Sequence, residues 1–377
     1  MGSTLTETAT VAPVDAPVDT PPESAEIRPA RGIDAPVWLR DLWYMALPGR
    51  ELKSGAMQAK TLLGEPVLLA RDADGKAFAL RDLCPHRGIP LSCGRFDGRE
   101  VECCYHGWRF DRAGTCTCIP SLTADQPVKV DRIRVRHYPI VEKHGLIWIF
   151  VGDPALAETV EVPDVPGFPV DARPSHIEKM VFPCPLDDAV VGLMDPAHGP
   201  YVHRAWWWRT KSSMHEKAKK FAPSTLGFTM VRHAPSSNSF AYKLLGGKPE
   251  TEIAFRLPGV RTEEIQVGRN RFTGITTITP LTETACEITQ TMYWTMPWVT
   301  VLKPVLRHFA RTFLKQDGEI VTMQQAGLAH GPSLMLLEDA DTQAKWYYRL
   351  KKEFARAKAE GREFQNPVKE RTLRWRS

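Results

Sequence analysis

Two short stretches within residues 84–106, CPHRGIPLSCGRFDGREVECCYH, hold the densest set of metal-ligating side chains in this 377-residue chain. Cys84 and His86 form a Cys-x-His pair, and Cys103 and His106 form a Cys-x-x-His pair, with sixteen residues between them. Two thiolates and two imidazoles can hold either a tetrahedral zinc ion or a [2Fe–2S] cluster. A cluster in which one iron takes two Cys and the other two His needs one ligand of each kind from each loop. That is the pattern here, whereas zinc knuckles more often place Cys-x-x-Cys on one side, so the spacing favours the cluster. Cys104 lacks the spacing to His106 and reads as a packed or free thiol.

A second candidate lies in Asp195-Pro196-Ala197-His198-Gly199-Pro200-Tyr201-Val202-His203. Two imidazoles and a carboxylate converging on one ion make a facial triad that leaves positions open for dioxygen. On a regular helix, residues five apart point about 140° from each other, so His198 and His203 would diverge. Gly199 and Pro200 supply a break that can bring them together. Asp195, three residues before His198, falls on the same helical face. Taken alone, such a His pair is more often structural than metal-binding; beside a cluster motif the balance reverses.

These residues must be positioned by a chain of two kinds of element. Residues 1–35, rich in Thr, Ala and Pro, cannot bury enough surface to offset their ordering entropy and predict a flexible tail. From 36 to 157 the signals are short strands: VLLA and AFAL flank Asp72–Lys76 with an Asp-Gly, a hairpin signature, and GLIWIFVGDP reads as a buried strand. Residues 155–183, dotted with proline, predict a wrap between domains, and 184–210 a helical segment broken at Gly199-Pro200. The segments GFTMVRH, SFAYKLL, ETEIAFRL, TGITTITPL and EITQTMYWTM alternate as strands of one antiparallel sheet, ended by Pro297. Helices follow at about 302–328, with Pro304 in the first turn, and at about 340–359. This is an α+β chain with domains at 36–157 and 158–377.

Composition narrows the function. With 43% hydrophobic and 25% charged residues and a net charge of +5, the chain is an ordinary globular protein with no argument for nucleic acid. The basic tract RLKKEFARAK reads as a solvated helix face. Six of eight cysteines (84, 93, 103, 104, 116 and 118) crowd the first site, which suits a reducing compartment rather than a disulfide scaffold. No apolar run is long enough to span a membrane and no secretory signal is seen, so the expectation is cytoplasmic. Met1–Thr6 fits only the loose myristoylation pattern. No Gly-x-Gly-x-x-Gly follows a strand, so reduced pyridine nucleotide is not expected to bind.

CPHRGIPLS, then CCYHGW and RFDRAGTC, closely resembles the Rieske domain of bacterial Rieske non-haem iron oxygenases, large-subunit type, and Asp195-x-x-His198-x-x-x-x-His203 resembles their mononuclear iron motif. The resemblance implies a small all-β Rieske domain and a helix-grip catalytic domain. It implies a [2Fe–2S] cluster on Cys84, His86, Cys103 and His106, with Arg87 and Trp108 as supporting neighbours, and mononuclear Fe(II) on His198, His203 and a distant carboxylate. Asp317, near the start of a late helix with Gln324 seven residues on, fits that third place best; Glu319 is its nearest rival, and Asp188, Glu338, Asp339 and Asp341 are weaker ones. Asp195 is then not a ligand but a link from the iron His to the His106 of a neighbouring subunit. Many relatives carry an Asn one turn before this Asp, where the chain has Val191 and Gly192.

The implied activity is hydroxylation or oxidative demethylation of an aromatic or other cyclic organic molecule, as in α-only monooxygenases resembling vanillate demethylases. It uses dioxygen and two electrons from a separate ferredoxin or NAD(P)H-dependent reductase. Cis-dihydroxylation by the same ligands is the alternative within the family, and an electron-transfer Rieske protein or a zinc-bound interaction module the alternatives outside it. Arg95, Arg99, Arg109 and Arg112 are candidates to dock an acidic partner. A head-to-tail homotrimer is the implied assembly. Trp206, Trp207, Trp208, Phe240, Tyr242, Tyr293 and Trp294 are candidates for an aromatic pocket, although such residues are more often core.

Overall fold

Short apolar runs separated by turn residues build the first half of the chain from small antiparallel sheets. The computed structural model describes residues 26–27, 37–203, 211–235 and 247–377. The expected hairpin pairs Glu65–Arg71 with Ala77–Arg81, and Asp72 closes its turn by accepting from the Lys76 backbone N–H at 2.7 Å. Ala56–Leu62 and His137–Tyr138 complete that sheet, and Leu42–Pro48, Leu146–Val151 and Ile140–Lys143 form a second. A third, small sheet runs in the order Arg95–Phe96, Val101–Glu102, Arg109–Phe110, Cys116–Cys118. Its core is separate, with Cys84 and Cys103 buried among Leu68, Leu80, Leu91 and Phe110.

The second half is an eight-stranded antiparallel sheet in the spatial order 176–182, 285–294, 270–282, 260–267, 250–256, 227–233, 216–224 and 371–376. Four of these strands follow the alternation read from sequence; SFAYKLL lies outside the described residues. His176–Phe182 falls in the stretch expected to wrap between domains, but it is an edge strand paired with Cys286–Met292. Pro297 does not end a strand; the strand stops at Trp294 and Pro297 opens a short helix, Pro297–Val301. The two halves are tied directly. Thr279 Oγ1 donates to Met45 O at 2.8 Å, Leu63 N donates to Pro280 O at 2.9 Å, and Lys60 Nζ bridges Ala46 O and Glu287 Oε1.

A 26-residue helix, Lys303–Leu328, lies along this sheet. Its buried stripe, Ala310, Leu314, Gly318 and Val321, recurs every three or four residues. A Cβ added at Gly318 would lie 3.1 Å from the Phe182 ring, which is how closely the helix approaches the edge strand. The final helix, Thr342–Ala359, buries Trp346, Tyr347, Leu350 and Phe354, with Trp346 edge-on to Phe221 and Phe228.

The basic tract in that last helix is not simply a solvated face. Lys351 is buried and donates to both oxygens of Asp187 at 2.7 and 2.8 Å, and Tyr347 donates to the same carboxylate at 2.6 Å. Asp187 stands in the first turn of the helix Leu186–Met194, where a carboxylate also suits the helix dipole. That helix leads directly into the second candidate site, so the ion pair fixes its entry. Among the described residues no helix is long and apolar enough to cross a membrane.

Removing one partner of a buried pair strands the other charge. Asp187→Ala is expected to lower unfolding free energy by about 3 kcal/mol, read from the urea midpoint. Glu319→Ala, which breaks only the exposed Lys315–Glu319 pair, is expected to cost under about 0.5 kcal/mol.

Candidate metal centres and cavity

The two Cys/His loops are built alike. In the first, Gly88 N donates to Cys84 O at 2.9 Å; in the second, Gly107 N donates to Cys103 O at 3.0 Å. Each loop therefore turns back after four residues on a glycine with φ near +70°, a conformation that other residues adopt only under strain. The turn buries both sulfurs and presents both rings outward: Cys84 and Cys103 are 3% exposed, while His86 and His106 lie at the surface with centroids 4.5 Å apart. Burial pushes the Cys84 thiol up to about 11, and the adjacent Cys103 thiol pushes in the same direction. A buried thiol pair forms thiolates only if a cation compensates them, which is what cluster irons would do. Cys104 is exposed.

The surroundings hold these loops in place. Asp82, buried at the foot of the first loop, accepts from Ser92 N at 2.7 Å and from its hydroxyl at 2.5 Å. Trp108 stacks flat on His86 at 4.7 Å and 4°, and the Arg87 guanidinium lies over the Tyr105 ring at 5.9 Å. Of the four arginines nearby, Arg109 pairs with Glu102 and Arg112 with Asp72. Arg95 and Arg99 are exposed.

At the second site the helix Leu186–Met194 ends one residue before Asp195, which is already extended at φ −63°, ψ 117°. The break therefore falls at 195–198, not at Gly199-Pro200, and these two residues instead begin the short helix Gly199–Val202 with Pro200 in its first turn. Asp195 consequently does not share a helical face with His198. Its backbone oxygen lies 2.8 Å from His198 Nδ1, its Oδ1 accepts from Ala197 N at 2.7 Å, and its Oδ2 stands 3.7 Å from the ring.

Asp317 sits near the middle of the long helix rather than at its start, and its Oδ1 lies 3.3 Å from His203 Nε2 and 3.9 Å from His198 Nε2. The two Nε2 atoms are 3.3 Å apart. Ligand atoms of all three residues fall within 4.8 Å of one another. In the neutral tautomer that carries its hydrogen on Nδ1, His198 donates to Asp195 O and His203 donates to Gln316 Oε1 at 3.1 Å. Both Nε2 lone pairs then face each other and a carboxylate, an arrangement that a cation stabilises. The donor set of two imidazoles and one carboxylate fits ferrous iron.

None of the rival carboxylates joins this group. Asp188 is buried and accepts from Gln325 at 3.0 Å, and Glu319 faces solvent beside Lys315. Glu338 and Asp339 pair with Arg371. Asp341 accepts from the Leu337 backbone. Two residues were missed from sequence: Gln316, which adjoins Asp317 but contacts His203, and Phe313, whose ring stacks on His203 at 4.3 Å. Phe313 lies four residues before Asp317, one helical turn, and that spacing was a usable signal.

These three residues open onto a cavity of about 440 Å³ between the eight-stranded sheet and the long helix. Phe313, Asp317, Ile320 and Gln324 line it from one helix face; Met230, Thr251, Ile253 and Ile288 line it from the sheet. Val191 and Gly192 are in its wall. Tyr293 and Trp294 are not. Tyr293 is buried and donates to His144 O at 2.7 Å, and Trp294 Nε1 donates to Thr300 Oγ1 at 2.9 Å. Trp206, Trp207, Trp208, Phe240 and Tyr242 lie outside the described residues.

Comparison with known proteins agrees with this geometry. A family model described as the Rieske [2Fe-2S] domain matches residues 42–139. The chain is 37% identical over 173 residues to the oxygenase component of dicamba O-demethylase from Stenotrophomonas maltophilia, covering 45% of this chain and 48% of the relative. It is 31% identical over 201 residues to the 5,5'-dehydrodivanillate O-demethylase oxygenase subunit of Sphingobium, covering 52% and 47%. The match thus spans about half the length of these curated relatives. A crystal structure of dicamba monooxygenase bound to 3,6-dichlorosalicylic acid superposes with a TM-score of 0.69 at 27% identity, over 86% of this chain and 99% of that one.

Removing the group that orients a ligating imidazole typically weakens metal affinity about 10- to 100-fold. Gln316→Leu is expected to raise the iron dissociation constant by about that factor, measured by chelator competition, with the cluster absorbance unchanged. In the first site, a Cβ at Gly107 would lie 3.0 Å from Pro120 Cγ while one at Gly88 meets nothing within 4 Å. Gly107→Ala is therefore expected to lose more cluster per chain than Gly88→Ala, read from the visible spectrum.

Proposed function

We propose that this chain, which is built as a Rieske oxygenase α subunit and carries a Rieske domain at 42–139, is the terminal oxygenase of a multicomponent system acting on a cyclic organic molecule. The observation that carries the reading is the convergence of His198, His203 and Asp317 at the wall of a cavity. A protein that only passed electrons would need neither the triad nor the cavity. Cys84, His86, Cys103 and His106 would hold the [2Fe–2S] cluster and the triad the ferrous ion. Bound there, these groups supply single electrons and a Lewis acid with open positions for dioxygen chemistry.

The chain's own residues hold that chemistry in place. Asp195 O and Gln316 Oε1 hold the two rings by Nδ1 and leave both Nε2 atoms aimed inward. Phe182, Met230, Ile253, Ile278 and Ile288 give the cavity an apolar wall that limits water. Two similar relatives are named as O-demethylases, and we read this chain in the same way, as a monooxygenase that hydroxylates or demethylates its substrate. Cis-dihydroxylation is the second reading, since the same ligands serve both.

The redox partner in this reading is a separate ferredoxin or reductase, with the exposed Arg95 and Arg99 available to an acidic surface. The assembly is a head-to-tail ring of three, in which Asp195 links His198 to His106 of a neighbouring copy. Asp195 suits that role because its backbone, not its carboxylate, makes the short contact with His198, and its side chain remains a third exposed.

Iron and sulfide analysis is expected to give about three irons and two sulfides per chain. Asp317→Ala should lose about one iron and retain the cluster spectrum. Asp195→Asn should retain both metals while turnover, followed as reductase-dependent oxygen uptake with product identification, falls about a hundredfold. A wild-type chain with the cluster but no third iron would establish the electron-transfer reading instead.

A further inference from the structure

The cavity holds a polar pair that the metal chemistry does not use. Thr251, on the strand Glu250–Arg256, is 2% exposed and lines the cavity. Among the described residues its Oγ1 has no hydrogen-bond partner. Native proteins seldom leave a buried hydroxyl unmatched, because the lost hydration is not recovered. Its partner across the ladder is His233, which lines the same cavity.

The protonation of His233 is set by its own backbone. Nδ1 lies 2.9 Å from Val231 O, and a carbonyl only accepts, so Nδ1 carries the proton and Nε2 offers a lone pair. Burial holds this imidazole below its ordinary range and so favours the neutral ring; the Val231 carbonyl and Glu263 work against burial, and Lys219 works with it.

The two groups together select a ligand chemistry. A carboxylate or other anion only accepts, so it would set its charge against the His233 lone pair. An ether has no proton to give. An alcohol or phenol matches both: it donates to His233 Nε2 and accepts from the Thr251 hydroxyl. The cations on this side of the sheet have protein acceptors of their own. Lys219 Nζ donates to Ala234 O at 3.0 Å, and Lys217 Nζ donates to Ser377 Oγ at 2.8 Å. Met230 and Ile253, a ladder pair on the same wall, supply the apolar surface beside the polar pair.

We propose that Thr251 and His233 form a hydroxyl-recognition site on the sheet wall of the cavity, and that the substrate is a phenol or alcohol held there while the reaction takes place at the helix wall. This rests on the reading of the cavity as the substrate pocket of an oxygenase.

The test uses purified holoenzyme and three probes that share one ring system: 2-naphthol, 2-methoxynaphthalene and 2-naphthoate, with dissociation constants from calorimetry. The wild type is expected to bind 2-naphthol about tenfold more tightly than either of the others. Thr251→Val should reduce that preference to within about twofold, and Thr251→Ser should restore it. Iron content and the cluster spectrum should be the same in all three proteins. Tightest binding of 2-naphthoate, equal or undetectable binding of the probes, or a preference that survives in Thr251→Val would overturn the proposal. Because binding is read without turnover, a failure here with iron and oxygen uptake intact leaves the oxygenase reading standing. Missing iron with the hydroxyl preference intact sinks the oxygenase reading and with it the assignment of the bound hydroxyl compound as substrate.

Discussion

Two imidazoles and a carboxylate pressed together form the constraint on which the second half of this protein depends. His198 and His203 each turn Nδ1 to an oxygen of the chain, so both Nε2 atoms face inward, and the two are 3.3 Å apart. Asp317 completes the group from a helix more than a hundred residues away in sequence. Burial pushes its carboxyl up to about 6, and only the nearby His198 works in the other direction. A desolvated carboxylate beside two imidazole nitrogens makes sense as a receptor for positive charge, because a bound cation compensates the lost hydration of the carboxylate. The Cys84 thiol follows the same logic in the first site, where burial disfavours the charged form until metal compensates it.

Bringing those bases together sets conditions on the scaffold. The helix Leu186–Met194 must stop before Asp195, so that the following turn can aim His198 and His203 at one point. Its start is fixed by Asp187, held by Lys351 and Tyr347 of the last helix. The long helix must lie close enough to the sheet to deliver Asp317, which Gly318 permits by letting Phe182 approach. Neighbouring positions on that helix therefore do different work: 314, 318 and 321 pack, 313 and 317 meet His203, and 316 orients it.

Much of this was legible because the informative patterns are local. The hairpin at 65–81, the ligand spacings at 84–106 and the His pair at 198–203 each fall within one short window, and the two late helices announce themselves by period and by Pro304. The eight-stranded sheet was read less completely, for a physical reason. Alternation marks a strand when one face is apolar, and a sheet face that lines a partly polar cavity breaks that rule. Lys217 and Thr251 point into the buried side, so EKAKKFAPS, at 216–224, reads as a polar segment although it is a strand. HIEKMVF was hidden differently, since prolines on either side suggested a wrap and its partner strand lies more than a hundred residues on. Lys351 was misread as solvated because a helical period shows which face a residue occupies but not that a carboxylate waits opposite it.

The position of Asp195 shows how a residue can be right in place and different in means. Sequence put it one helical turn before His198, with the carboxylate against the ring; the chain instead leaves the helix there and uses the backbone carbonyl for that contact. A carbonyl cannot ionise, so the orientation of His198 does not depend on the state of the Asp195 side chain. The carboxylate is thereby released from a structural duty, apart from one oxygen that accepts from Ala197 N. An Asn side chain has a carbonyl oxygen that can make that same bond. The turn and the triad should therefore be indifferent to the charge at this position, and any function that does depend on it must be exerted outward, toward whatever lies against the site.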